Sequence, residues 1–464
     1  LPDSQRNYNT HSLMSKDIRV KRGLDVSLVG AAERAVVPAP RSSLYALLPE
    51  DFHGEVPKLL LREGTEVKAG TPVFHLKRDA RIQVVSPVSG EVVEVVRGDK
   101  RKVLEIRILA DSGEMEYEPL NPPDVSKASP QVLKNFLCRS GLWPYVQQRP
   151  YAVVAYPGDR PRDIYISGFD SHPLAPDYTF SLKEKRAEIA AAIAVLKKLT
   201  PGKVHISLRS SDEDSPLSGL EGVVYHSVFG PHPAGNVGVQ IHHTHPLNPG
   251  EKLWTLQAPD LAIIGHAFLK GVFSPERVVA VTGSQIERPQ YHQVLAGAQI
   301  RSILGDGAKP GKKRLISGNP LTGVRVAETG FLHWYHNQLT AIPEGDAYQF
   351  MGWLLPDRKR FSVSRAGFFS WLRPNEKYDL TTNTNGENRA LVLTGLYEKV
   401  FPFSIYPMQL LKATLTKDIE RMEQLGIYEV APEDYALPEF VCVSKTDCQA
   451  IIREGLDLMV REVG

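Results

Sequence analysis

The sequence predicts a multidomain α/β protein, built from a module of short strands, an α/β middle, a small β-rich unit and a helical tail. Three observations carry that expectation. Residues 58–108 are β-prone runs cut by turn signals such as Gly64-Thr65, Gly70-Thr71-Pro72 and Ser86-Pro87-Val88-Ser89-Gly90. Between Tyr151 and Leu208 a strand, a helix and a strand follow one another, the pattern of a right-handed crossover unit. From Met408 onward, apolar residues recur at helical steps.

A length of 464 residues supports about two to four domains. The 42% hydrophobic and 23% charged content is that of a globular chain, and a net charge of +2 gives no basic field for nucleic acid. No apolar run approaches the ~20 residues that span a bilayer. Three cysteines exclude a disulfide scaffold and fit a reducing compartment.

Taken in order, residues 1–15 are polar and aperiodic and read as a disordered extension, with Met14 a candidate start. Ile18, Val20, Leu24, Val26 and Leu28 alternate as a strand and are expected to pair with the module that follows. That module carries G-x-x-V-x-x-G-x-P and then S-P-x-x-G-x-V, which resembles the barrel-sandwich hybrid of lipoyl and biotinyl carriers. A carrier needs a lysine at the tip of the central hairpin. Counting eight positions back from Pro87 lands on Asp79, with Lys77 two positions away. The reading is therefore a structural barrel and docking surface, with a carrier lysine at Lys77 as the alternative.

Residues 118–130 read as a proline-rich linker. Residues 130–141 read as a helix with Val132, Phe136 and Leu137 on one stripe, Gly141 as its stop and Cys138 in its last turn. Tyr151–Tyr156 reads as a buried strand. Ser181-Leu182-Lys183-Glu184 has the capping-box pattern ahead of Ile189, Ile193 and Leu196. Val204, Ile206 and Leu208 alternate as a strand. A helix starting at Pro259 and a buried strand at residues 277–282 follow. Residues 302–375 punctuate short strands with glycine turns; Val324 and Val326 alternate, as do Leu332 and Trp334. Residues 408–424 read as one helix closed by Gly426, packing on a second at residues 447–463.

Several constellations invite chemistry. His226, His232, His242, His243, His245 and His266 are dense in one region, and His243 and His245 would share a strand face, as a zinc site requires. A metal needs a third ligand, so the reading is histidines bonding loop backbones. Gly230–Gly238 is glycine-rich without G-x-G-x-x-G spacing and reads as a structural loop. Cys442 and Cys448 with Cys138 are too few for a self-contained four-thiolate cluster. Aromatics gather at Phe331, Trp334 and Tyr335 and at Phe368, Phe369 and Trp371; they line a ring pocket or, on the reading preferred here, fill a core.

Together, IRVKRGLDVSLVGA, GPHPAGNVGVQIHHTHP, VVAVTGSQIERP and ISGNPLTG resemble the family of A subunits of the sodium-translocating NADH:quinone oxidoreductase, from about Lys16 onward. The resemblance implies a peripheral subunit on the cytoplasmic face of a bacterial inner membrane, held by membrane-embedded partner subunits. It belongs there to a complex that uses NADH, FAD, FMN, iron–sulfur centres and ubiquinone or menaquinone to export sodium. It also implies a fold related to the NADH-binding subunit of respiratory complex I and the C subunit of the Rnf complex, with a Rossmann-like domain and an SLBB-type β-grasp domain. On that basis the chain divides into 1–15, 16–120 (barrel-sandwich hybrid), 121–300 (Rossmann-like), 301–378 (β-grasp) and 379–464 (helical). Those relatives carry a multi-glycine flavin loop after the first helix; here the matching place reads Ser140-Gly141-Leu142-Trp143-Pro144-Tyr145-Val146. One glycine and three bulky side chains here, together with the relatives' C-terminal cluster cysteines missing as a set, imply that flavin, NADH and cluster chemistry is absent from this chain. An assembly or quinone-binding role is expected instead, with Trp143, Tyr145, Phe331 and Trp334 as quinone candidates. An Rnf-type electron-transfer subunit is the rival reading.

Overall fold

Four sheets and a helical tail make up the computed structural model, which describes residues 16–212, 214–346, 360–363, 370–373 and 375–464. The 1–15 extension with Met14, and Phe368 and Phe369, lie outside the described residues.

The barrel module is present as read. A four-stranded sheet (Leu44–Leu47, Val103–Ala110, Gly90–Arg97, Glu66–Val67) shares a core with a three-stranded one (Pro57–Leu59, Pro72–Leu76, Asp79–Val85). Val73, Phe74, Ile82, Val84, Val92 and Ile108 are almost wholly buried there. The central hairpin corrects the tip assignment. Lys77 and Arg78 form its two-residue turn, and Lys77 is exposed, whereas Asp79 lies inside the returning strand, bound by Arg81. The tip is fastened down: Arg78 donates to the Val154 carbonyl at 2.7 Å and pairs with Glu55 at 2.7 Å.

The middle unit is a seven-stranded sheet. Five strands are parallel, in the order Lys16–Arg19, Val223–Phe229, Val204–Arg209, Ile164–Ser167, Leu253–Gln257; Gln147–Arg149 and Val153–Val154 add an antiparallel edge. The first strand corrects an expectation, because it pairs here and not with the barrel. The next strand, Glu33–Pro38, joins yet another sheet. Burial of Ile18 and Val20 against Val228 and the tail helices decides the pairing, at about 1.5–3 kcal/mol per aliphatic side chain. The 151–156 run is likewise only a two-residue edge strand; Tyr151 and Ala152 have positive φ and Tyr156 is exposed.

Helix Pro130–Arg139 ends where expected, with Gly141 at φ +72°, a left-handed backbone that a side chain strains; an added Cβ would also lie 2.4 Å from Val85. Its buried stripe is Leu133, Phe136 and Leu137, while Val132 is exposed. The capping box at Ser181 does not form. Asp177 caps a short helix, Tyr178–Ser181, and the long helix Arg186–Leu199 starts after it with no side-chain cap. Helix Ala258–Lys270, with Pro259 in its first turn, packs along it so closely that a Cβ on Gly265 would sit 1.7 Å from the Glu188 carbonyl oxygen.

A six-stranded sheet follows, in the order Val324–Val326, Lys313–Ser317, Gln338–Pro343, Glu276–Thr282, Gln290–Leu295, Glu33–Pro38. Leu332 and Trp334 are buried but do not alternate on a strand; they lie in the loop before Gln338–Pro343. In the tail, the single helix expected over 408–424 is two, Pro407–Leu415 and Ile419–Gln424. Lys417 has φ +55°, and the Asp418 side chain caps the second. Helix Cys448–Glu462, capped by Asp447, packs against the first of them, as read. Among the described residues no helix is long and apolar enough to cross a membrane.

Candidate functional site

The parallel sheet reverses direction once. From Ile164–Ser167 the chain steps outward to Val204–Arg209 and Val223–Phe229, then returns to Leu253–Gln257 on the other side of its starting strand. The connections leaving the two central strands diverge at their carboxyl ends and open a crevice, the place where open α/β sheets bind ligands. A cleft of about 700 Å³ lies there. Ser167, Phe169, Asp170 and His172 reach it from one strand, and Thr255, Gln257 and Asp260 from the other. The end of the glycine-rich loop, the second sheet, the tail and Asp51 and His53 of the barrel close it.

Its charged groups hold one another. Arg149, 5% exposed, pairs with Glu433 at 2.6 Å and lies 3.6 Å from Asp434. Burial pushes the Asp434 carboxyl up to about 6 against the pull of Arg149. The Ala431 amide and the Asn236 side chain donate to the same carboxylate, so this knot ties the tail to the sheet. Arg277, from the second sheet, reaches Asp260 of the α/β unit at 2.9 Å and Asn337 at 2.8 Å; both members of the ion pair are 1% exposed. Asp170 Oδ1 sits 2.6 Å from His172 Nδ1. Burial opposes charge on both, yet each holds the other ionised, with the carboxyl below and the imidazole above its ordinary value. Among the described residues His172 Nε2 has no hydrogen-bond partner, so the dyad can hold or release a proton at the cleft edge. His232, its ring tilted against that of His172 at 4.5 Å, is driven well below its ordinary value by burial and by His172.

The four aromatic candidates fall in three places, and none lines the cleft. Tyr145 stacks on Trp334 at 5.3 Å, with Phe52 and Phe273 around them. Trp143 meets Trp254 edge-on at 5.1 Å and donates to the Ala155 carbonyl. Phe331 packs with Ala46 and Leu48, and Arg107 lies over its ring. All four are buried. Their neighbour Tyr335 does reach the cleft, while donating to the Pro144 carbonyl at 2.7 Å.

His243 and His245 do not share a strand face: residues 237–244 are a helix. His243 Nδ1 contacts the Val239 carbonyl, His242 pairs with Glu429, and His226 stacks on His205. His266, on helix Ala258–Lys270, is half-buried, and burial lowers its pKa. Among the described residues no group of three or more His, Cys, Asp or Glu side chains is placed to hold a metal ion. The glycine-rich loop does link strand Val223–Phe229 to helix Val237–Thr244, a placement the spacing alone concealed. Arg149, Asp260, Arg277 and His172 were not singled out in the sequence. Only Asp170-x-His172 left a local signal, since the other contacts join residues far apart in the chain.

A barrel-sandwich hybrid, an α/β sheet with a switch-point crevice, a second sheet and a helical tail define a multidomain α/β scaffold assembled around one shared cleft. Family models match three of these units. The NqrA N-terminal barrel-sandwich hybrid domain matches residues 18–111, the NqrA second alpha/beta domain residues 128–273, and the NQRA C-terminal domain, of SLBB type, residues 278–328. The chain is similar to the A subunit of the Na(+)-translocating NADH-quinone reductase of Rhodopirellula baltica, 35% identical over 96% of this chain and 98% of that one. The proteins of the same name from Neisseria gonorrhoeae (32%) and Saccharophagus degradans (33%) match over 96% of this chain and 100% of theirs. A solved NAD+-reducing NiFe-hydrogenase overlaps with a TM-score of 0.35 at 10% identity, over 75% of this chain and 67% of that one, too loosely to bear on function. The chain belongs to the family of A subunits of the Na(+)-translocating NADH-quinone reductase, an oxidoreductase complex.

Proposed function

We propose that within this complex the chain is a non-redox subunit, docked at the cytoplasmic face by membrane-embedded partners, and that it holds no flavin, NADH or iron–sulfur centre of its own. NADH, FAD, FMN, iron–sulfur and quinone chemistry then resides in, or is shared with, the other subunits. The observation that carries this reading is the stretch Ser140–Val146. Leu142, Trp143, Tyr145 and Val146 are each 0% exposed, and the lone glycine, Gly141, is closed off by Val85. A flavin phosphate needs close backbone approach, which this packing does not fit.

Visible absorbance and iron content of the purified chain test it. A colourless, iron-free protein is expected; stoichiometric flavin or iron overturns the reading and restores the Rnf-type alternative. Association with quinone is a second part of the proposal, supported by the aromatic layer of Tyr145 and Trp334 directly behind Tyr335 at the cleft wall. Substituting Trp143, Tyr145, Phe331 and Trp334 one at a time and finding quinone affinity unchanged, in chain and complex alike, removes that part. An intact mass showing Lys77 unmodified excludes the carrier alternative.

A further inference from the structure

The helical tail brings two of the three cysteines to one phenol. Cys442 follows helix Ala436–Val441, and Cys448 opens helix Cys448–Glu462. Tyr397 Oη donates to Cys442 Sγ at 2.9 Å and lies 3.5 Å from Cys448 Sγ. Both thiols are free and buried, beneath the surface loop that carries Val443, which is 51% exposed.

Their surroundings differ. Burial raises the Cys442 thiol, but the Tyr397 hydroxyl and the Thr446 amide, which reaches the sulfur at 3.4 Å, bring it below its ordinary value. Burial pushes Cys448 up to about 12. Cys442 is thus the sulfur suited to attack, with Cys448 poised as its resolving thiol.

We propose that Cys442 and Cys448 form a modification site at which a hydroperoxide converts the pair to an intrachain disulfide. The Cys442 thiolate attacks a peroxide oxygen, the O–O bond breaks, and the departing hydroxide leaves as water with the proton the thiol gave up. Cys448 then attacks the resulting sulfenic sulfur; its S–H proton and the sulfenic hydroxyl leave as a second water. Two thiols and one hydrogen peroxide become one disulfide and two waters, the thiols losing the two electrons that the peroxide gains. A disulfide needs the sulfurs about 2.05 Å apart, so the Tyr397 hydroxyl that now touches both must withdraw. The bond would reach the cleft. Cys448 shares a helix with Gln449 and Arg453, which line it and donate to the Leu321 and Tyr151 carbonyls.

The test treats the folded full chain with hydrogen peroxide, quenches, denatures, alkylates the remaining thiols and maps the peptides. Free thiols are expected to fall from three to one, leaving Cys138, with Cys442 linked to Cys448. Tyr397→Phe removes the intervening oxygen but also the donor that favours the Cys442 thiolate, so the first oxidation is expected to slow several-fold while the link still forms. Cys442→Ser and Cys448→Ser abolish the link. Three thiols retained in both wild type and Tyr397→Phe, or Cys442 oxidised without joining Cys448, overturns the proposal.

Discussion

Removing Asp260 tests what joins the α/β sheet to the second sheet. The Arg277–Asp260 contact is 2.9 Å long and both side chains are 1% exposed. At an effective dielectric of about 20, the attraction across that distance is roughly 6 kcal/mol. Desolvation costs several kcal/mol per ion, so the intact pair adds little net stability. The position of the Asp260 carboxyl agrees: burial lifts it to about 6 even with Arg277 pulling it down. Asp260→Ala keeps the cost of the buried guanidinium and discards its partner, so unfolding should become easier by about 3–5 kcal/mol. Asp260→Leu combined with Arg277→Met removes both charges and should recover at least half of that loss, the remainder reflecting the Asn337 oxygen left without its donor. Urea titration of wild type, Asp260→Ala, Asp260→Leu, Arg277→Met and the double variant measures the cost and the coupling. A single-variant cost below about 1 kcal/mol, or a double variant no better than Asp260→Ala, would refute the account of this junction.

Three further outcomes are expected. Gly265→Ala forces a methyl into the Glu188 carbonyl and should cost roughly 3 kcal/mol, read as a lower unfolding midpoint; a neutral effect would mean that the two helices part freely. Burial opposes ionisation of Asp163, but His205, the Lys203 amide and Arg162 bring its carboxyl to about 2, below the ordinary 3.8. The unfolded chain therefore binds the proton first, and about 2 kcal/mol of stability should be lost as pH falls from about 4 to about 2. Asp163→Asn should flatten that acid limb in pH-dependent unfolding. Arg149→Met leaves Asp434 buried without its cation and should loosen the tail, raising hydrogen exchange over Pro407–Leu415 and Cys448–Glu462 while sparing the barrel.

Local patterning was legible where one element decides its own form. The barrel turns, the helix over 130–139 with Gly141 behind it, and the helix opening at Pro259 all follow from neighbours in the sequence. Competition between local signals misled at Ser181 and at Lys417. In the first, Asp177 caps a short helix upstream. In the second, Asp418 caps a new helix and breaks an apolar stripe that continues through the break. Strand partners were not legible, because alternation at residues 18–28 states that a face is buried but not against which sheet. The cleft was hidden for the same reason: Asp51, Arg149, His172, Asp260, Asn337 and Arg453 meet only after every unit has docked. Aromatic clustering at 331–335 correctly announced a core, whereas the cleft wall mixes apolar side chains with amides, hydroxyls and matched charges.

The early placement of two edge strands bears on how the chain is made. Lys16–Arg19 pairs with Val223–Phe229, and Glu33–Pro38 with Gln290–Leu295. At about 5–20 residues per second, a ribosome needs on the order of 10–50 s to deliver those partners. Through that interval the barrel can close while two β-prone ribbons wait beside it unmatched. Charged residues within both, Asp17 and Arg19 in one and Glu33 and Arg34 in the other, are the sort that deter neighbouring nascent chains from pairing in their place.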